Sequence, residues 1–263
     1  MASYQLKALG ERILPAPIYL ATLEFFRRFA PSSRRKFEIE LGNRLGGNGC
    51  VIDGPFRGMR YLDLSYGSAY IPKLLGCYEL EVSEFVRSCC ADPPDVVVDI
   101  GSAEGYYAVG MALCAPSAKV FTYDTSKVAH ILTRRLARLN GVEDRMNIRS
   151  LCDHAALTEV LRTSTSPLVV CDCEGCELDL MDPEQAPTLK HARLIVEVHS
   201  PEITASLLTR LARTHDVEKV DQQPRKMPES LASKLNEEEW SRASDEVRAP
   251  GQGWLLCVPR GEG

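Results

Sequence analysis

From residue 96 onward the chain alternates short β-branched runs with segments of helix length, and few architectures accept that rhythm. A strand followed by an amphipathic stretch and then another strand returns the chain in the same direction. The strands then lie parallel and the helices cover both faces of one sheet. Seven runs qualify as strands: VVVDI (96–100), KVFTYD (119–124), MNIRS (146–150), LVVCD (168–172), LIVEV (194–198), HDVEKV (215–220) and GWLLCV (253–258). Helices are expected at about 104–114, 127–140, 155–162 and 203–213, with a short one near Leu178. The expected fold class is α/β, a seven-stranded Rossmann-like sheet. The segment 221–251, rich in Pro, Glu and Ser, interrupts the last strand pair as a polar insertion and reads as a lid or flap.

Residues 1–94 follow no such alternation and read as an N-terminal helical and hairpin cap packed on the domain formed by 95–263. Within the cap, 5–30 suggest one or two amphipathic helices broken by Pro15 and Pro17. Residues 31–50 read as a basic, glycine-rich connection. CVIDGPFRGMRYLDLS suggests a β-hairpin around Gly54-Pro55, and IPKLLGCYELEVSEFVRSC a helix leading into the first parallel strand. The cap carries too little apolar material to fold by itself.

A net charge of −5 leaves no basic footprint for a phosphate backbone, so small molecules are the expected partners and nucleic acid is not. No apolar run has the length of a membrane span, and MASYQLKALGERILP lacks the apolar core of a secretory signal. The sequence therefore suggests a cytoplasmic protein that does not enter a membrane. Its ten cysteines are scattered through apolar runs, where most are expected to be reduced and to pack as small hydrophobes. Nothing in the sequence fixes the oligomeric state.

VVVDIGSAEGYYAVG puts an acid, Asp99, at the end of a buried strand, then small residues on the turn into a helix. Such a turn aims backbone N–H groups and a helix N-terminus at a ligand. A dinucleotide fingerprint needs G-x-G-x-x-G/A, but here the last glycine comes one position early and Tyr106 stands where Gly or Ala belongs. S-adenosylmethionine has no pyrophosphate to cradle and tolerates the shorter loop. Asp99 would then accept from its ammonium group, Asp124 at the second strand end would take the ribose hydroxyls, and Asp153 after the third strand would reach the adenine amino group. Each acid has a plainer role as a helix cap. What favours the ligand is their position in register at successive strand ends.

These residues resemble the FkbM-like branch of class I S-adenosylmethionine-dependent methyltransferases. The resemblance rests on VVVDIGSAEGYYAVG, on VVCDCEGCELDLMDP (169–183) with its Asp-x-Glu-Gly-x-Glu pattern, and on LIVEVHSP (194–201); GPFRGMRY and KLLGCYELEV are similar to the lead-in. It implies a mostly parallel seven-stranded sheet with the last strand antiparallel, and methyl transfer mostly to oxygen on varied acceptors. By the same resemblance, the cofactor would be held by Glu79, Asp99, Gly101, Ser102, Ala103, Gly105, Tyr106, Asp124, Thr125, Asp153, His154 and Asp172. The chain departs from the common pattern in having Asp124 where Glu-Pro is usual, and in its cysteine-rich fourth strand.

In a parallel sheet the ligand lies beyond the carboxyl ends of the strands, so Asp172 and Glu174 are expected beside Glu197 and His199. The sulfonium methyl is already activated, and the protein has to align the acceptor and remove a hydroxyl proton. His199 is the natural base. Two other roles stay open for it: with Asp172 and Glu197 it would hold a divalent Mg or Mn ion that orients a diol, or it is a satisfied structural histidine. For Cys171, Cys173 and Cys176 the sequence offers packing, redox sensitivity or zinc, and the absence of a second Cys-x-x-Cys weighs against zinc. The leading function is an O-directed methyltransferase on a small or sugar-like acceptor. A non-catalytic S-adenosylmethionine-binding protein and a nucleotide-dependent oxidoreductase are the alternatives.

Overall fold

The computed structural model describes residues 14–45, 49–248 and 251–261. Seven strands, β1 (Val96–Ile100), β2 (Lys119–Tyr123), β3 (Met146–Arg149), β4 (Pro167–Cys171), β5 (Arg193–Val198), β6 (His215–Asp221) and β7 (Gly253–Pro259), form one sheet in the order β3-β2-β1-β4-β5-β7-β6. β7 runs antiparallel to both its neighbours, and the pairs among β1 to β5 are parallel. All seven expected strands are present, their ends moved by no more than a residue. β1 pairs with β2 and β4 along its whole length, so all five of its residues are buried. Alternate side chains serve opposite faces: Val97 and Leu168 join one apolar cluster, Val96, Val98 and Val169 the other.

Helices flank the sheet: α1 (Ala16–Phe29), α2 (Ser33–Leu45), α3 (Tyr70–Leu75), α4 (Ser83–Ala91), α5 (Tyr106–Cys114), α6 (Lys127–Leu139), α7 (His154–Leu161), α8 (Glu177–Leu180), α9 (Pro201–Leu211), α10 (Glu229–Ala232) and α11 (Glu237–Ala243). Their starts follow local chemistry. Ser126, Asp153 and Ser200 cap α6, α7 and α9 by accepting from backbone N–H groups, and Asn236 with Glu239 forms a capping box on α11. Among the described residues no helix is long and apolar enough to cross a membrane.

The region before β1 departs from expectation. Pro15 and Pro17 do not break a helix but begin α1, where a missing N–H costs nothing; residues 5–13 of the expected helices lie outside the described residues. The connection expected over 31–50 contains a 13-residue helix, α2. The expected hairpin is short: one antiparallel bridge, Cys50 with Arg60, flanked by backbone hydrogen bonds from Val51 to Met59, Gly58 to Val51 and Tyr61 to Gly49, closes a turn-rich loop. The long helix expected after it is split at Gly76, in the left-handed region at φ 77°, where a Cβ would come within 1.9 Å of the Asp53 carbonyl oxygen. The insertion expected to be a lid is packed instead: Leu231, Leu235 and Trp240 join the same buried cluster as Val97 and Leu168.

Candidate active site

The turn between β1 and α5 is shaped by its glycines. Gly101 has φ 84°, and a Cβ there would fall 1.6 Å from the carbonyl oxygen of Asp172, so the β1 turn and the start of the β4 loop touch backbone to backbone. Gly101 and Ser102 both donate to the Tyr123 carbonyl, which ties the turn to the end of β2. Ala103 takes a positive φ of 48°, and its N–H donates to Asp124 Oδ2 at 2.9 Å while Asp124 Oδ1 accepts from Ser126. Ser102 is buried against Thr122, and Thr125 is exposed beyond the end of β2. Gly105, at φ 91°, is the N-cap of α5.

Beneath this turn lies a residue the sequence reading passed over. Glu104 has no exposure and accepts from the Tyr61 and Ser65 hydroxyls, the Tyr66 N–H and Lys73 Nζ, the last at 2.6 Å. Four donors satisfy a buried carboxylate and fix the turn to the cap. Tyr106, expected to face the cofactor, turns its ring into an edge-on cluster with Phe56, Tyr61, Tyr78 and Tyr107. The length of its side chain explains the departure: a tyrosine fits at this position by leaving the turn for the core.

Asp99 is buried, and its Oδ2 accepts from Ala108 of α5 at 3.0 Å. Burial pushes its carboxyl up to about 7, partly opposed by the Ala108 N–H, with Asp172 and Asp124 adding to the rise. Asp153 is exposed and caps α7 through Oδ1, the plainer of the two roles its position offered. His154 meets the Asp179 carbonyl at 3.0 Å, linking α7 to the segment after β4.

At the ends of β4 and β5 the structure gathers Asp172, Glu177, Glu197 and His199. His199 Nε2 stands 3.6 Å from Asp172 Oδ1 and 3.4 Å from Glu177 Oε1, and Gln252 meets its Nδ1 at 3.1 Å. The imidazole is pushed up to about 10 by Asp172, then Glu177, so the ring carries its proton at neutral pH. Burial opposes the charge on Asp172, yet the neighbouring His199 holds that carboxyl below its usual range. Asp172 Oδ1 and His199 Nε2 are both buried and meet at ion-pair distance, and among the described residues neither has a hydrogen-bond partner, so both keep hydrogen-bonding capacity for a ligand.

Glu177 has no exposure, and its oxygens accept from the Cys173 and Gly175 N–H groups at 3.1 and 2.9 Å. It was legible as the last acid of the Asp-x-Glu-Gly-x-Glu pattern. Glu174, expected in its place, lies exposed at the loop tip in the left-handed region, at φ 58°. The cysteines are more than packing. Cys173 and Cys176 are joined by a disulfide, and the Cys171 thiol lies 3.8 Å from the Cys173 sulfur; a second disulfide joins Cys90 to Cys114, while the other six cysteines are free.

Glu197 turns away from His199 toward Arg248, which no sequence signal marked because it lies in the insertion. The Arg248 guanidinium pairs with Glu79, Glu197 and Glu246 and lies over the rings of Trp254 and Tyr78. Glu79, itself in the left-handed region, also accepts from the Tyr107 hydroxyl. Burial, with Asp172 and Glu79 close by, raises the Glu197 carboxyl well above its usual range. The expected metal trio of Asp172, Glu197 and His199 therefore does not close on one point. Among the described residues, the carboxylate-bearing groups with ligand atoms within 4.8 Å of one another are Asp172, Glu177 and His199 on one side and Glu79, Asp172 and Glu197 on the other; Cys171, Cys173 and Cys176 form a third group. Arg248 occupies the second side with its own charge.

No family model matches the chain, and no curated protein sequence does. Solved structures similar to it include an O-methyltransferase from Bacillus cereus in complex with S-adenosylhomocysteine, 12% identical over 91% of this chain and 97% of that one, with a TM-score of 0.47. A putative O-methyltransferase from Klebsiella pneumoniae is 13% identical over 66% of this chain and 77% of that one, at a TM-score of 0.44. An S-adenosylmethionine-dependent O-methyltransferase from Thermotoga maritima is 15% identical over 64% and 61%, at 0.42.

Proposed function

We propose that this chain is an S-adenosylmethionine-dependent methyltransferase of the FkbM-like kind, acting on a hydroxyl of a small-molecule or sugar-like acceptor. The observation that carries the reading is the unsatisfied pair, Asp172 Oδ1 and His199 Nε2, set beyond the ends of β4 and β5 beside the glycine turn of β1. The donor set suits the cofactor: carboxylates at the ends of β1, β2 and β4 complement an ammonium group, ribose hydroxyls and a sulfonium. When bound, the cofactor supplies a methyl group already activated for in-line displacement.

The chain's own residues then bind, orient and manage a proton. Asp124 keeps Ala103 and Ser126 in place and presents its remaining lone pairs outward from β2. Asp99 at the end of the neighbouring strand is buried and holds the start of α5 through the Ala108 N–H. An acceptor hydroxyl between Asp172 and His199 would satisfy both orphaned atoms and be aligned by them. His199 takes the hydroxyl proton once its own has been released, and Glu177, locked by two backbone N–H groups, steadies the resulting imidazolium. Glu79 and Glu197, tied by Arg248, complete the acidic wall. Glu174 at the loop tip would border the acceptor entrance.

S-adenosylhomocysteine is expected to raise the melting temperature of the wild type, because a ligand bound only to the native state stabilises it by mass action. Asp124→Ala should abolish the shift while circular dichroism shows an unchanged fold. A shift with NAD(H) and none with S-adenosylhomocysteine would favour the oxidoreductase. Cofactor binding with no methyl released across a broad hydroxyl-acceptor screen would favour the non-catalytic binding protein.

A further inference from the structure

A cavity lies apart from this cleft, under the cap. It encloses about 850 Å³ between α1, α2, α6 and the loop that precedes α3, a volume in the range of sites that enclose a whole small ligand. It shares no residue with the strand-end cluster; Tyr61, one of its wall residues, turns its hydroxyl away toward Glu104.

The walls have two characters. Leucines and isoleucines from α2, α3 and the preceding loop make an apolar chamber, while Arg27, Arg28, Arg35 and Arg135 bring four guanidiniums against Glu24, Glu38 and Asp63. In a chain of net charge −5 this is a local excess of positive charge. The excess is concentrated at Glu38, whose single carboxylate is shared by Arg27 at 3.3 Å, Arg34 at 3.7 Å and Arg35 at 3.4 Å. Arg35 is only 7% exposed and also pairs with Asp63, whose carbonyl accepts from Arg27; the Nε atoms of both arginines are buried without a hydrogen-bond partner among the described residues. An oxyanion entering the cavity would meet charge-assisted donors on the guanidiniums that line it.

We propose that this cavity is a binding site for an anionic amphiphile, its carboxylate or phosphate-ester head held by Arg27 and Arg35 and its hydrocarbon body in the leucine-lined chamber. The site is independent of the methyl-transfer reading. Both features are needed: the guanidiniums in the wall select the anion, and the apolar walls exclude a purely ionic ligand from filling the space.

Gly42 of α2 provides a test that leaves the fold alone. It lines the cavity, a Cβ added to it meets nothing within 4 Å, and replacing a helical glycine favours the helix. Isothermal titration calorimetry with octanoate and with octyl phosphate, each below its micelle concentration, should show saturable binding of one or both. The two arms tell a carboxylate head from a phosphate head. Octyl glucoside and inorganic phosphate, each carrying half of the required chemistry, should bind at least tenfold more weakly. Gly42→Leu should keep or raise the melting temperature and weaken binding of the anionic amphiphile at least tenfold, and Arg27→Gln should weaken it similarly. No saturable binding of either anionic probe, equal binding of octyl glucoside, or full binding by Gly42→Leu would each overturn the proposal.

Discussion

His199 shows how a residue can be found from sequence while its state is not. Its place two residues after Glu197, at the end of an apolar strand, pointed to the cleft, and Asp172 was expected beside it. The charge on the ring depends on Asp172 and then on Glu177, which approaches from α8 and which spacing alone gave no reason to set against the imidazole. Asp124 and Asp153 were equally visible as strand-end acids, but the backbone N–H groups they satisfy belong to turns whose geometry appears only in three dimensions. The raised His199 value has two consequences with definite sign. A histidine at about 10 in the folded chain and about 6.5 unfolded contributes stability that is complete below pH 6.5 and is lost as pH rises toward 10. Urea unfolding from pH 6 to 10 should show that decline in the wild type and a flatter one in His199→Gln. The unprotonated base is also scarce at neutral pH, so kcat/KM should climb about tenfold per pH unit from 7 toward 10. A flat rate profile would move the proton to Asp172, and full turnover by His199→Ala would remove the histidine from the chemistry.

The central strands β1, β4 and β5 were legible because each is an apolar, mostly β-branched run buried on both faces, whereas the edge strands β3 and β6 are partly exposed and were found from the alternation of elements. α2 was not, for a reason visible in its buried positions: Arg35 and Glu38 begin the inward stripe that Leu41 and Leu45 complete. Charges paired inside a cap erase the apolar period that marks a helix. The expected hairpin is cut short: its arms are joined by the Val51 and Met59, Gly58 and Val51, and Tyr61 and Gly49 backbone hydrogen bonds around the Cys50–Arg60 bridge, while Ile52 donates to the Leu74 carbonyl and the residues between turn. α5 shows the opposite case, in which a glycine inside a helix marks a contact. A Cβ at Gly110 would lie 2.5 Å from the Phe56 ring, so the cap loop presses directly on the helix backbone. Gly110→Ala gains about 1 kcal/mol of helix propensity and loses about 1–3 kcal/mol to overpacking. The expected result is a lower urea midpoint, with part of the loss recovered when Phe56→Leu is added. Simple addition of the two single effects would show that the residues do not meet.

At the scale of the molecule, cap, sheet and insertion share one interior. The same buried cluster contains Leu41 and Phe56 of the cap, Val97 and Leu168 of the sheet, Trp240 of the insertion and Trp254 of β7. Sequence reading separated these parts because the insertion is polar on average, and an average hides the few apolar residues that anchor it. Trp240 is 3% exposed and donates its indole N–H to the Arg225 carbonyl at 2.9 Å; Arg225 in turn pairs with Glu81 of the cap and with Glu246. A lid that opened freely would break this chain of contacts and expose the indole. The insertion is therefore expected to unfold with the rest. Trp240→Ala should cost about 3–5 kcal/mol through the cavity it leaves, lowering the melting temperature by roughly 2–4 °C per kcal/mol for a chain of this size. Differential scanning calorimetry should show one transition moved to lower temperature, with calorimetric and van't Hoff enthalpies still equal. A new low-temperature transition, with the main one unmoved, would mean that the insertion opens by itself and that the cleft beneath Arg248 has a lid after all.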